Sequence, residues 1–353
     1  MTCPDRPRGS VGAMTRTPLA PAPAPEAAAP AADRLRTALR GVAIISCLPY
    51  IALKTAWISG SRLGIPAGSS LLDHRTSMAV ANGASVLMDS AVVVIALLLT
   101  QAWGRRVPAW LLALPMWVAT GLLLPIMTGY PLQLLVQVLG GKTVNKGDVG
   151  RPFLDEWVFG VVYTGFIVQG LALGTLFALY ARDRWGHLWQ GTLRELPDSP
   201  TAPALRAAAV AASLLALVPG LLHLLWAAGS TAGLNEGRIR ERTSGSAVLE
   251  AVFALFVVAA VAGILLLAFR RNSALPLWAP LVLAWGGSGA TACWGGWMSI
   301  ASLSDVDDLA DQPTAAMVLI YAVQMLVGTL VMTLGAYFLV ERSDANRPAG
   351  RRA

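Results

Sequence analysis

Apolar residues fall along this chain in eight runs divided by short polar or charged stretches, at 39–60, 77–101, 108–130, 154–181, 205–229, 245–269, 276–300 and 314–340. A helix needs about 20 mostly apolar residues to cross about 30 Å of hydrocarbon, and every run reaches that length. The pattern predicts an all-α polytopic membrane protein with eight transmembrane helices.

Marker residues within and beside those runs recur once. Pro49, Lys54, Trp57, Gly60, Ser61 and Gly64 return as Pro219, His223, Trp226, Gly229, Ser230 and Gly233. Farther on, Pro108, Trp110, Trp117 and Gly121 return as Pro276, Trp278, Trp285 and Gly289, all four at an offset of 168. Leucine matches between apolar segments carry little information, but tryptophans in register carry much in a chain with only 12. The chain therefore reads as a duplicated unit. Four spans per copy is an even number, so both copies enter the membrane from the same side, as parallel repeats. The expected organisation is a disordered Pro/Ala-rich arm over 1–34, a first four-helix repeat over 35–184, a linker over 185–203, a second repeat over 204–342 and a tail over 343–353.

With 55% hydrophobic and 13% charged residues and a mean hydropathy of +0.59, the chain has too few charges to cover a soluble globule. A net charge of +7 would suggest nucleic acid in a soluble protein, but its distribution here excludes that partner. With the N-terminus inside, 18 Lys and Arg fall on the inner side and 8 on the outer, and Lys54 lies within a span. That is the positive-inside asymmetry, and it places both termini in the cytoplasm of a bacterial cell, with the plasma membrane as host. The acidic stretch 301–312 has no basic residue and is expected outside. No apolar h-region closely follows the early arginines, so the first span is expected to act as an uncleaved anchor. Cys3, Cys47 and Cys293 show neither a disulfide nor a metal spacing. The bilayer is the expected partner, and a membrane-protein partner or a homo-oligomer stays open.

Ionisable groups at membrane depth are costly and are functional candidates by default. Lys54 and His223 each precede a tryptophan by three residues and share a helix face with it. Asp89 lies at mid-span, about 16 Å below the outer surface by helical rise, where an unpaired carboxylate takes up a proton rather than stay charged. Its expected partner is Lys54, on the adjacent antiparallel helix, through a water. Asn82 and Glu250 occupy matching positions in the two copies. Lys54, Asn82, Asp89, His223 and Glu250 are expected to line one polar crevice opening outward, or to clamp helices together. Gln169 and Gln324 are expected to bond between helices.

Asp307, Asp308 and Asp311 match DDxxD, a spacing that converges on a divalent cation in prenyl-transfer enzymes. The motif is single, sits in an outer loop and has no acidic counterpart in the first copy, so a solvated loop is expected, and no cofactor. The absence of a P-loop, GxSxG, HExxH or CxxC removes ordinary ATPase and hydrolase readings. Between the third and fourth runs, 130–151 is too short to cross and too apolar for a solvated loop, and is expected to lie half-inserted at the outer surface.

The pattern His/Lys-x-x-Trp-x-x-Gly-Ser with a further Gly three residues on, at Lys54 to Gly64 and His223 to Gly233, resembles an uncharacterised bacterial multi-pass membrane family. Its four-span units carry His-x-x-Trp-Ala-x-Gly at the end of the first helix. The resemblance implies the duplicated architecture and no mechanism, and Lys54 stands where that family has His. The leading expectation is a small-solute or lipid-related transport or export component, with protonation of Asp89 or His223 biasing a conformational change. The alternatives are a membrane-embedded enzyme acting on a lipid-linked substrate at the outer leaflet, with Glu250 and His223 as acid and base, or a non-catalytic partner protein.

Overall fold

The computed structural model describes residues 28–67, 69, 75–142, 154–197, 199–270, 274–303 and 309–345. In these the chain forms α1 (Ala28–Ile58), α2 (Arg75–Thr100), α3 (Ala109–Val138), α4 (Glu156–Trp185), α5 (Ala202–Ala227), the short α6 (Glu236–Arg240), α7 (Ser244–Phe269), α8 (Trp278–Ala301) and α9 (Ala315–Ala345), with no strand among the described residues. The protein is all-α. Residues 28–34, part of the stretch expected to be disordered, already belong to α1, because the alanines there are strong helix formers. The rest of that arm lies outside the described residues.

Seven helices are long and apolar enough to cross a membrane, and the chain is an integral membrane protein of the multi-pass kind. The exception among the eight long helices is α8, which has the length but is diluted by Gly286, Gly287, Ser288, Gly289 and Thr291. Those residues sit at the centre of the bundle, with seven consecutive positions, 286–292, buried. A helix surrounded by protein gains nothing from apolar bulk and needs small residues so that neighbouring backbones can approach. They do approach. A Cβ on Gly287 would lie 2.3 Å from Ala260 N on α7, and one on Gly328 of α9 would lie 2.4 Å from Ser288 O.

The segment 132–138 is not a separate surface helix. It continues α3 beyond Pro131, because a proline at that point costs one backbone bond and a bend without ending a helix that stays packed. Residues 143–151 of the same stretch lie outside the described residues.

Two cores form. Ala43, Cys47, Val92, Ala96, Leu112 and Leu173 join α1 to α4, and Leu205, Ala209, Ala260, Ile264, Val331 and Phe338 join α5, α7 and α9. In each, the first helix packs against the second and fourth of its group, α1 against α2 and α4, and α5 against α7 and α9. The groups differ in their third helix. While α8 sits between α7 and α9, α3 turns from α2 and lies across α7 and α8. The crossing of α3 and α8 is close: a Cβ on Gly121 would lie 2.3 Å from Gly289 O. Beside it, Trp117 Nε1 donates to Ser288 Oγ at 3.0 Å.

The turns that follow α1 and α5 are built by the same bonds. Trp57 Nε1 donates to Leu63 O at 2.7 Å, and Trp226 Nε1 donates to Ala232 O at 2.8 Å. Ser61 Oγ accepts from Leu63 N and Ser230 Oγ from Ala232 N, both at 3.2 Å. Gly60 and Gly229, at φ of +92° and +117°, adopt the left-handed conformation that ends a helix cheaply only in glycine. Each turn is then tied to the start of a later helix: Gly64 O accepts from Asp155 N at 2.9 Å, and Gly233 O from Thr314 Oγ1 at 2.6 Å.

Candidate functional site

Glu250, one turn and a half into α7, is 6% exposed, and a carboxylate buried that far must be paired. Two partners reach it from other elements. His223, near the end of α5, brings Nδ1 to 2.5 Å from Glu250 Oε2, and Arg238 of α6 donates from Nη2 to Glu250 Oε1 at 2.9 Å. Arg238 is held at that point because Asn235 caps α6, its Oδ1 accepting from Arg238 N at 3.0 Å. The chain of contacts extends both ways. Gln324 Nε2 on α9 lies 2.6 Å from His223 Nε2, and Arg238 Nη1 approaches Tyr321 Oη at 3.4 Å. With Gln324 donating to Nε2, the proton on Nδ1 of His223 is donated to the carboxylate.

This network floors a cavity of about 230 Å³. The walls come from both helix groups: Pro125, Tyr130 and Gln133 of α3 and Tyr163 of α4 face Phe253 of α7 and Trp294 of α8. The side chain of Arg238 keeps 37% of its surface, against 8% for that of Glu250, so the guanidinium marks the rim and the carboxylate the depth. The His223 ring meets Trp226 edge-on and Phe253 at a tilt, each with centroids 5.4 Å apart. A largely apolar chamber with a few convergent polar groups is the usual make-up of a small-molecule site.

Only two of the five residues expected in one crevice reach it, His223 and Glu250. The others stay in the first helix group and form two separate contacts. Lys54 Nζ donates to Asn82 Oδ1 at 2.9 Å and lies 4.8 Å from the Trp57 ring and 5.1 Å from that of Tyr50. No direct ion pair joins it to Asp89 among the described residues. Asp89 Oδ1 accepts instead from Gln169 Nε2 of α4 at 3.1 Å. Asp89 Oδ2 and Gln169 Oε1 have no partner among the described residues. Both of those atoms are acceptors, so only a donor hydrogen, from an acid proton or a water, can close the pair. Gln169 and Gln324 do bond between helices.

The sequence reading missed Arg238, Tyr321 and the α3 wall. A usable signal existed for Arg238, since a glutamate inside a span demands a cation, and 238–242 is the basic stretch of the loop before it. No comparable signal marked Pro125, Tyr130 and Gln133, which reach the cavity only because α3 leans across to α7 and α8. Of the DDxxD residues, Asp307 and Asp308 lie outside the described residues. Asp311 is exposed, and its carbonyl accepts from Asn235 Nδ2 at 2.8 Å. No group of three metal-ligating side chains occurs among the described residues. Comparison with family models, curated proteins and solved structures finds no match to this chain.

Proposed function

We propose that this protein is a small-solute or lipid-related transport or export component of a bacterial plasma membrane, made of two parallel four-helix copies with both termini cytoplasmic and its cavity facing outward. The observation that carries the reading is the position of the cavity. It is bounded by α3 and α4 on one side and by α5, α7, α8 and α9 on the other. A carrier moves two bodies about a site at their junction, and a small tilt of the α3–α8 crossing would open or close these walls. The ligand suited to the cavity is small and amphipathic, with a polar head for Arg238 and Glu250 and an apolar body for Phe253 and Trp294.

Support for the duplication comes from the paired turns after α1 and α5 and from the bond joining the first helix of each copy to the second. Lys54 to Asn82 and His223 to Glu250 are the same positions one repeat apart. Gly121 and Gly289, at matching positions of the two copies, also meet at the crossing of α3 and α8. On this reading α8 is the eighth span, its middle, 286–292, enclosed by α3, α7 and α9. The charge asymmetry supports the orientation. The acid/base alternative has less support, because both ring nitrogens of His223 are already engaged and neither is free to serve as a base.

Phe253→Cys, with Cys3, Cys47 and Cys293 changed to alanine, tests the transport reading. A membrane-impermeant maleimide is expected to label it from outside in resting vesicles. A fraction is expected to become reactive from the inner side under a solute gradient. Reactivity confined to the outer side under every condition would describe a binding protein without a carrier cycle.

A further inference from the structure

A second cavity, of about 180 Å³, lies at the opposite end of the second helix group, where α7 and α9 end against the segment that leads into α5. Arg270 and Arg342 both line it, with Phe338 and Leu196 as apolar wall. Arg342 donates from Nε to Leu188 O at 2.5 Å and from Nη2 to Gln190 O at 2.9 Å, and Arg270 donates from Nη1 to Pro197 O at 2.6 Å. Those bonds fix the two guanidiniums in place, with that of Arg270 over the Phe338 ring at 5.7 Å and Glu195 offsetting part of the charge of Arg342. Glu341 also borders the cavity, but its Oε1 accepts from Ser199 and Thr201, and no carboxylate among the described residues is ion-paired with either arginine.

Two further observations set Arg270 apart. Its Nε is buried and has no hydrogen-bond partner among the described residues, a costly state for a charged donor. Its backbone sits at φ +45°, a left-handed helix cap that ordinarily selects glycine or asparagine. A long cationic side chain kept at a strained cap, lining one cavity with a second arginine, fits a chain that holds an anion there.

We propose that this cavity binds a phosphate group, with Arg270 and Arg342 as its two guanidinium ligands. Guanidinium presents paired N–H groups that match phosphate oxygens, and one phosphate would offset the positive charge that the two arginines bring together. The same chemistry has two sources, the headgroup of an anionic phospholipid or free inorganic phosphate. The cavity lies where the spanning helices end, at headgroup depth, and carries an apolar wall beside its basic one, as a lipid would require.

The test uses the full chain in nanodiscs. Its apparent melting temperature is read in phosphatidylcholine alone, in phosphatidylcholine with phosphatidylglycerol, and in phosphatidylcholine with potassium phosphate against potassium chloride at equal ionic strength. Stabilisation by phosphatidylglycerol only identifies the lipid, and stabilisation by phosphate salt identifies the free anion. Arg270→Asn, which tolerates the left-handed cap, and Arg342→Gln should each weaken the response about tenfold in the concentration needed. Arg106→Gln, on the same side but outside the cavity, should leave it unchanged. No response to either additive, or an equal loss in Arg106→Gln, overturns the proposal.

Discussion

Gly121→Ala is expected to destabilise the detergent-solubilised protein by roughly 1–3 kcal/mol, the range for forcing atoms into a packed core, while Gly83→Ala leaves it unchanged or stabilises it by up to about 1 kcal/mol. Both glycines lie within helices, so propensity alone would favour alanine at each. Their surroundings decide otherwise. A methyl on Gly83 meets nothing within 4 Å, whereas one on Gly121 would stand 2.3 Å from Gly289 O, 2.5 Å from Gly289 C and 2.8 Å from Cys293 Sγ. Two of those three atoms are backbone and cannot rotate away, so α3 and α8 must separate. Because the crossing also supports the cavity of about 230 Å³ through Trp294, whose Nε1 donates to Leu122 O at 3.3 Å, ligand affinity should fall together with stability. Melting curves of the two variants in one detergent check this, and equal behaviour of the pair would mean that the helices do not meet there.

Removing the Glu250 carboxylate has the second large effect. Glu250→Ala leaves the His223 Nδ1–H without an acceptor and the Arg238 guanidinium without its counter-charge, and loss of one member of a buried ion pair costs about 3–5 kcal/mol. The lower end applies here, near 3 kcal/mol, since Arg238 keeps 37% of its side-chain surface and can turn to water. Glu250→Gln should cost about 1–2 kcal/mol, because the amide oxygen still accepts from His223 and only the bond to Arg238 is lost. Arg238→Gln in the Glu250→Gln background should add little further, since the two changes remove the same interaction. Chemical denaturation or thermal unfolding of these three variants and of Arg238→Gln alone reads the order and the coupling directly. A fully additive double variant would show that Arg238 and Glu250 do not act as a pair.

Much of the fold was legible because lipid imposes a simple rule on sequence: a spanning helix bonds its own backbone and shows the bilayer apolar side chains. Seven helices declare themselves that way. The same rule obscures α8, whose neighbours are protein, and whose glycines and tryptophans record close packing in place of lipid contact. The ends of α1 and α5 were legible for a different reason, since Trp57 and Trp226, with their glycines, specify a turn through local bonds that any reader of the sequence can count. The candidate site was half legible. His223 and Glu250 stand out as titratable groups inside apolar runs, but that signal says how costly a residue is and not which helix lies opposite. Lys54, Asn82 and Asp89 carry the same mark and fell to other partners, because their grouping depends on how α1, α2 and α4 pack. The α3 wall carried no mark at all: Pro125, Tyr130 and Gln133 are ordinary in a span, and only the lean of α3 toward α8 makes them part of a site.

The proposed architecture has eight crossings arranged as two quartets inserted the same way up. Single cysteines at Arg62, Thr231, Leu303, Arg105, Gln190 and Ala274, in the cysteine-free background, decide it by labelling intact cells with an impermeant thiol reagent before and after permeabilisation. Arg62→Cys, Thr231→Cys and Leu303→Cys should react in intact cells, and the other three only after permeabilisation. Opposite exposure of Arg62→Cys and Thr231→Cys would mean an odd number of crossings in the first copy, and equal exposure of Ala274→Cys and Leu303→Cys would mean that α8 does not cross; either result contradicts the architecture.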